Sequence, residues 1–220
     1  METEMIENKL ERFVAGVSGL WDAPQDQVRI AACIKALDTR YDLYRKMERE
    51  PGVAQIIDQM MGRLARSYGK LSDLKGKRIL DIACGSTTSK LPASLHLKTP
   101  FGEMTIGAAK GYTALFEPWF CRILFELGIT PVGVDFGNLE QEAFIHYRVD
   151  LGEPGALNFL PGASFDGIQD SRLFGSPEFT DHFPDQADRL KVAHEINWQE
   201  QRLLKPGGII IHSDARAWLK

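Results

Sequence analysis

One short apolar run that ends in an acid and a glycine turn constrains the fold of this chain most. Residues 77–87 read Lys-Arg-Ile-Leu-Asp-Ile-Ala-Cys-Gly-Ser-Thr, and only Asp81 interrupts the apolar positions. A run of this length and character is typical of a buried parallel strand. Ligands of open α/β sheets bind beyond the carboxyl ends of the strands. Asp81 and the turn at Gly85 are therefore candidate binding residues.

The rest of the chain repeats this unit. After the first strand, helical patterns at residues 115–127 and 187–204 alternate with short apolar runs at residues 131–135, 146–150, 165–168 and 208–213. Short strands that alternate with helices favour a parallel sheet with helices on its faces. Before residue 75 the pattern is different, because three amphipathic stripes with helical spacing follow one another. We predict an α/β fold in two parts, an N-terminal helical cap over residues 1–70 and a sheet domain over residues 71–220. The cap either covers the sheet or forms a wall of a substrate pocket.

Composition excludes several classes of protein. With 44% hydrophobic and 25% charged residues, the chain has the make-up of an ordinary globular protein. A net charge of −4 argues against a large nucleic-acid surface. No apolar run approaches the roughly 18 residues of a membrane span, and the first residues do not read as a signal peptide. The three cysteines are widely spaced and odd in number, which favours reduced thiols and a cytoplasmic location.

Three acids end three successive predicted strands: Asp81, Asp135 and Asp150. Carboxylates at one sheet edge suit the ribose hydroxyls and exocyclic amine of an adenosine ligand, and they would repel a pyrophosphate. A dinucleotide fingerprint is missing, because no Gly-x-Gly-x-x-Gly leads into a helix and Asp135 lies 54 residues after Asp81. A phosphate-binding P-loop is missing too. These acids predict an adenosyl ligand that carries no phosphate.

The same residues resemble the class I S-adenosylmethionine-dependent methyltransferases over about residues 75–214. The first-strand stretch is similar to that family's first motif, and the segments at residues 133–136, 149–151, 165–171 and 203–208 are similar to later ones. The resemblance implies that the first turn holds the methionine end, that Asp135 takes the ribose hydroxyls, and that Phe136 and Asp150 contact the adenine. The cofactor-binding residues it implies are Asp81, Ala83, Gly85, Ser86, Thr87, Asp135, Phe136, Asp150, Leu151 and Gln169.

The resemblance also implies a doubly wound sheet with strand order 3-2-1-4-5, and two departures from the family stand out. Residues 88–114 are inserted between the first turn and the next helix, and we predict a lid or substrate-recognition loop there. The chain ends soon after the fifth strand, without the family's usual last two strands. The fifth strand would then be an exposed edge. The N-terminal helices or a second copy of the chain, in a homodimer, could cover it.

The function that the resemblance implies is methyl transfer from S-adenosylmethionine to a small-molecule acceptor, with S-adenosylhomocysteine as product. Asp170 is the candidate general base, with His182 as a weaker one; the alternative is that Asp170 is a surface or capping acid. Candidate substrate residues are Tyr112, Glu117 and Ser171, and packing is the alternative for the first two. No metal site is predicted. The alternative function is an S-adenosylmethionine-binding protein or partner subunit without catalysis.

Overall fold

The structure is a computed structural model that describes the backbone of residues 2–88, 90–91, 95–99, 102–106, 111–170 and 173–220. Side chains are described for residues 9–88, 113–170, 173–176 and 179–220. Ser171 therefore lies outside the described residues, as does the side chain of Tyr112.

Four helices open the chain, where the sequence predicts three. They are α1 (Glu2–Ser18), α2 (Pro24–Tyr41), α3 (Leu43–Arg49) and α4 (Gly52–Tyr68). The extra break falls at Asp42, whose backbone is left-handed with φ 54° and ends α2. Helices rarely continue through such a residue. The predicted second helix is therefore split into α2 and α3.

Five parallel strands form the main sheet, and the predicted α/β class is confirmed. The strands of the main sheet are β1 (Arg78–Ile82), β6 (Thr130–Asp135), β7 (Ile145–Arg148), β8 (Phe165–Gln169) and β9 (Leu204–His212). Their spatial order is β7-β6-β1-β8-β9. Counted within this sheet alone, that is the predicted order 3-2-1-4-5.

The inserted segment contains further strands. They are β2 (Lys90–Leu91), β3 (Leu95–Thr99), β4 (Gly102–Ile106) and β5 (Gly111–Tyr112). β2 pairs with β5 and β3 pairs with β4, both antiparallel. Within residues 88–114, where we predict a lid or substrate-recognition loop, the described backbone therefore forms two short antiparallel ladders.

The remaining helices follow the sheet strands. A 3₁₀ turn at Ala114–Phe116 precedes α5 (Trp119–Glu126), so the predicted helix over 115–127 begins later than its apolar pattern indicates. Pro118 stands at the break. α6 (Pro177–His182) falls in a stretch for which we predict no helix, and α7 (Gln186–Leu203) matches the predicted long helix. α8 (Ala215–Trp218) closes the described chain. Within the described residues, no helix is long and apolar enough to cross a membrane.

The two largest apolar cores of the described residues lie on opposite faces of the main sheet. Ile79 of β1 belongs to the first core, together with buried residues of α2, α4 and α5. Leu80 and Ile82 belong to the second core, together with Ile196 and Leu203 of α7. Alternate residues of a strand point to opposite faces, so β1 contributes to both cores. Helices on both faces make this sheet doubly wound, and its carboxyl edge stays accessible between them.

Candidate functional site

A cavity of about 250 Å³ opens at the carboxyl edge of the main sheet, above β1, β6 and β7. Five residues that the sequence predicts as cofactor-binding line it: Ala83, Asp135, Phe136, Asp150 and Leu151. The rest of its wall is formed by Val149, Gly152, Leu173, Ser176, Phe179, His182 and Phe183. The lining is mostly apolar, with two carboxylates, a hydroxyl and an imidazole. This composition is typical of small-molecule sites.

Asp135 is held rigidly at the inner wall of this cavity. The Gly85 N–H donates to its Oδ2 (2.9 Å), and the Gly137 N–H donates to its Oδ1 (2.8 Å). One amide comes from the glycine turn after β1 and the other from the turn after β6, so the carboxylate joins two neighbouring strand ends. An acid fixed in this way can accept hydrogen bonds from ligand hydroxyls without first changing its conformation.

Asp150 provides the second carboxylate of the cavity. Its Oδ1 accepts the Gly152 N–H (2.9 Å), which fixes the side chain against the turn that follows β7. The Val149 N–H donates to the Asp135 carbonyl (2.8 Å), so the β6 and β7 ends stay paired at this level. The structure therefore brings Asp135 and Asp150 to one wall, as the strand-end pattern predicts for neighbouring parallel strands.

Phe136 forms an exposed aromatic surface at the rim. Its side chain is 63% exposed, and the Arg148 guanidinium lies 5.8 Å from the ring centroid. Soluble proteins usually bury a phenylalanine. An exposed ring beside two carboxylates suits stacking against a planar ligand group.

The outer wall of the cavity consists of α6 and the residues beside it. Ser176 caps α6, accepting the Phe179 N–H with its Oγ (3.0 Å), and Pro177 occupies the first turn. Phe179 and Phe183 pack together with ring centroids 5.1 Å apart. Apart from His182, no residue of this wall was predicted from the sequence. The Ser-Pro pair that starts α6 is the helix-start signal that could have revealed it.

The glycine turn after β1 is packed against the protein. Ala83 and Gly85 have φ of 56° and 92°, and a Cβ on Gly85 would overlap the Phe116 carbonyl oxygen. The Ser86 N–H donates to that same oxygen (2.9 Å). Thr87 Oγ1 donates to the Asn138 carbonyl (3.4 Å). The turn residues thus pack against or hydrogen-bond to other segments of the protein. Gly85, Ser86 and Thr87 do not line the cavity.

Asp81 lies below the cavity on the face of the sheet that α5 covers. Its side chain is buried, and the Cys121 thiol donates to its Oδ2 (3.8 Å). Burial raises the pKa of Cys121 to about 11, and the negative charge of Asp81 acts in the same direction. The structure separates Asp81 from the wall that holds Asp135 and Asp150. Sequence spacing could not show this, because it depends on how closely α5 packs.

Gln169 and Asp170 are both fully buried at the end of β8 and do not line the cavity. Within the part of the chain that the structure describes, the Gln169 amide has no hydrogen-bond partner. Asp170 accepts hydrogen bonds from the Asp214 N–H (2.6 Å), the Ala215 N–H (3.2 Å) and the Ser213 hydroxyl (3.2 Å). Asp170 therefore sits in the position of a capping acid. His182, the other candidate base, does line the cavity and is exposed.

Glu117 belongs to a buried ion-pair network and not to the cavity. Its Oε2 accepts from Lys46 Nζ (2.7 Å) and from Arg122. Arg122 also donates to Glu142 (2.6 Å) and packs on the rings of Tyr41 and Trp119. The backbone of Tyr112 lies in β5, paired with Lys90.

No protein-family model matches this chain, and no curated protein and no solved structure matches it either.

Proposed function

We propose that this protein binds S-adenosylmethionine at the carboxyl-edge cavity and transfers its methyl group to a small-molecule acceptor. The observation that carries the proposal is the arrangement of Asp135, Phe136 and Asp150 around one cavity. Two strand-end carboxylates and an exposed ring make a site for an uncharged nucleoside group, because they offer acceptors for its hydroxyls and amine and a surface for its base.

The residues present fit the adenosyl part of the ligand. Asp135 would accept from ribose hydroxyls, Asp150 would accept from the adenine amine, and Phe136 would contact the ring. Whole-ligand pockets for drug-sized molecules span roughly 300–1,000 Å³, and this cavity of about 250 Å³ lies just below that range. That volume suits a nucleoside better than a longer ligand.

The fit does not extend to the methionine part as the resemblance assigns it. The Ser86 amide is bonded to Phe116, Gly85 is packed against the same residue, and Asp81 is buried beside Cys121. The geometry therefore supports binding of the adenosyl part of the ligand and not of its methionine part.

When bound, S-adenosylmethionine supplies an electrophilic methyl group on a sulfonium. The protein's part in such a displacement is to orient the two reactants and to exclude water. The apolar side chains of Leu173, Phe179 and Phe183 form the water-excluding wall. His182 is the lining residue that could take a proton from an acceptor that needs deprotonation.

The alternative function, cofactor binding without catalysis, is favoured by one specific observation. Asp170 is enclosed by three donors and removed from the cavity wall. A partner subunit would need only the adenosyl-binding half of the site. The cytoplasmic location and a homodimer stay part of the proposal; the three buried free thiols support a reducing compartment.

Isothermal titration calorimetry with S-adenosylmethionine and S-adenosylhomocysteine tests the proposal. We expect binding to the wild-type protein, and we expect Asp135→Ala to weaken it by more than about tenfold because the ribose acceptor is lost. Asp188→Ala is the matched control, because Asp188 is an exposed acid paired with Lys191 on α7. Absence of binding to the folded wild-type protein would overturn both functions. Equal affinity of the two variants would overturn the ribose assignment.

A second assay separates the enzyme from the binder. The wild-type protein is incubated with S-adenosylmethionine and a panel of small acceptors, and release of S-adenosylhomocysteine is measured. We expect release above the acceptor-free control for at least one acceptor, and we expect His182→Ala to lower it for an acceptor whose nucleophile is protonated at neutral pH. Binding without release across the panel would favour the non-catalytic alternative.

A further inference from the structure

Two buried acids approach the same serine at the carboxyl ends of β8 and β9. Ser213 Oγ lies 3.2 Å from Oδ2 of Asp170 and 2.9 Å from Oε2 of Glu200. Asp170 follows β8, Ser213 follows β9, and Glu200 projects from α7. Both acids are fully buried. Buried acids are rare unless they are paired or hydrogen-bonded.

Counting hydrogens favours one acidic proton in this cluster. A serine hydroxyl has one hydrogen and can donate to one oxygen at a time. If both acids were ionised, one would face the serine oxygen without a hydrogen between them. Asp170 also accepts two backbone N–H groups, which stabilise its ionised form. Among the described residues, Glu200 accepts no backbone N–H group, and a direct side-chain contact with Asp170 favours a proton on it. With a proton on Glu200, that carboxyl can donate to Ser213 while Ser213 donates to Asp170, so that a hydrogen lies between each pair of oxygens.

Electrostatics agrees with this assignment. Burial raises the pKa of Glu200 to about 8, and the neighbouring charge of Asp170 adds to the rise, while Arg216 on α8 opposes it. Burial also raises the pKa of Asp170, to about 6, against the backbone N–H groups that lower it. Among the described residues, the charge of Asp214 also raises the pKa of Asp170. Asp214 pairs with His212, and Arg63 on α4 is attracted to Asp214, Asp81 and Asp170.

The cluster is connected to the outer wall of the cavity. The Leu173 N–H donates to the Asp170 carbonyl (3.3 Å), and Leu173 lines the cavity. On the other side, Asp170 binds the two backbone N–H groups at the start of α8. Trp218 of α8 packs on Phe174, and Phe174 packs on Phe179 of the wall.

We propose that Asp170, Ser213 and Glu200 form a one-proton device that holds α8 and the α6 wall against the sheet, and that loss of the Glu200 proton loosens both. The two ionised acids would then face one hydroxyl in a buried site, and opening to water relieves their repulsion. The proposal concerns how firmly the cavity wall is held, and it does not depend on which ligand the cavity binds.

The sign of the pH dependence follows from the raised pKa. Glu200 binds its proton more tightly in the closed form than in an opened, solvated one. Its contribution to closing is therefore fully present below its ordinary pKa of 4.5 and is lost as pH rises to about 8, above which it changes no further. Burial raises the pKa of Asp170 only to about 6, so a titration above pH 6 reports the last proton of the pair, which the hydrogen bonds around Asp170 favour on Glu200.

Hydrogen exchange at individual amides tests the device. Between pH 6 and pH 8, we expect the protection factors of Trp218 and Leu219 in the wild type to fall by at least about tenfold. We expect the amides of Thr180 and Phe183 at α6 to follow. Glu200→Gln keeps a donor for Ser213 and cannot ionise, so its protection should stay constant. Glu195→Gln, the same change five residues earlier on α7, should behave like the wild type.

Three results would overturn the inference. Constant protection in the wild type would show that no proton is involved. The same fall in Glu200→Gln would assign the proton elsewhere. A response in α8 alone would remove the link to the cavity. If Glu200→Gln does not fold, carbon-13 NMR of wild-type protein labelled at glutamate carboxyls decides: one resonance should titrate near pH 8, and titration of all glutamates below pH 6 would overturn the assignment.

Discussion

Gly85 shows how one residue fixes the geometry of the carboxyl edge. Its φ of 92° lies where side chains are strained, and the Phe116 carbonyl occupies the place of a Cβ. The Gly85 N–H meanwhile orients Asp135. Glycine is therefore needed at this position because a side chain would overlap the backbone of a neighbouring segment. Close approach of a ligand to the turn is a different reason for a glycine.

We therefore expect Gly85→Ala to lower the free energy of unfolding by roughly 4 kcal/mol or more, because it adds an overlap with backbone to the strain of positive φ. Gly128→Ala is the control. Gly128 has φ 74° and open space around it, so the same change should cost about 1–2 kcal/mol. Urea denaturation of both variants measures the difference. Equal losses would mean that the segment at Phe116 can move away freely.

Single residues also show where sequence reasoning succeeds. Asp135 and Asp150 could be assigned to one wall because strand ends at one edge are neighbours, whatever the helices do. The surroundings of Gln169, Asp170 and Glu117 could not be assigned, because α7, α8 and the N-terminal helices enclose them. Contacts across such separations in sequence leave no local pattern.

The start of α5 illustrates how elements are joined. The sequence carries one apolar stripe over 115–127, yet the α-helix begins only after Pro118. The residues before Pro118 form a separate 3₁₀ turn. Glu50 at the end of α3 accepts from the Ala114 N–H (3.1 Å) and the Leu115 N–H (3.3 Å). Arg122 then connects Glu117 to Glu142 in a buried site. Periodicity predicts the stripe but not these long-range partners, so the helix boundary was misplaced.

We expect Arg122→Met to cost about 3–5 kcal/mol in unfolding free energy, because it removes the buried guanidinium that pairs with Glu142 and Glu117, of which Glu117 keeps its bond to Lys46. Arg45→Met is the comparison, since Arg45 pairs with Asp42 on the surface and should contribute less than about 1 kcal/mol. Chemical denaturation at neutral pH distinguishes them. A small loss for Arg122→Met would show that water reaches Glu117 and Glu142.

At the scale of the whole molecule, the two cores meet at β1. The first core combines residues of α2 and α4 with residues of the sheet and α5, among them Trp21 and Trp119. The second core contains the opposite face of the same strand. The predicted order of the sheet is confirmed; the family resemblance implied it, because right-handed crossovers restrict the possible orders without selecting one. The cap could be foreseen as helices, but the partner of their apolar stripes could not.

Because the cores share β1, we expect the full chain to unfold in one transition, with tryptophan fluorescence and far-ultraviolet circular dichroism giving the same midpoint. Leu37→Ala, in the first core on α2, should lower the unfolding free energy by about 2–5 kcal/mol, and both signals should report the same loss. If the fluorescence change came first, the helices of the cap would form a separate folding unit.

The pairing of β2 with β5 has a consequence for how this protein could diversify. Leu91 lies opposite Gly111, so the inserted segment leaves the sheet domain and returns to it at one point. Because the two ends of the segment are neighbours, a two-residue hairpin turn can replace it and leave the flanking strands in register. The sheet, its strand-end acids and its cavity can therefore be inherited unchanged while the attachment beside them is lengthened, shortened or replaced.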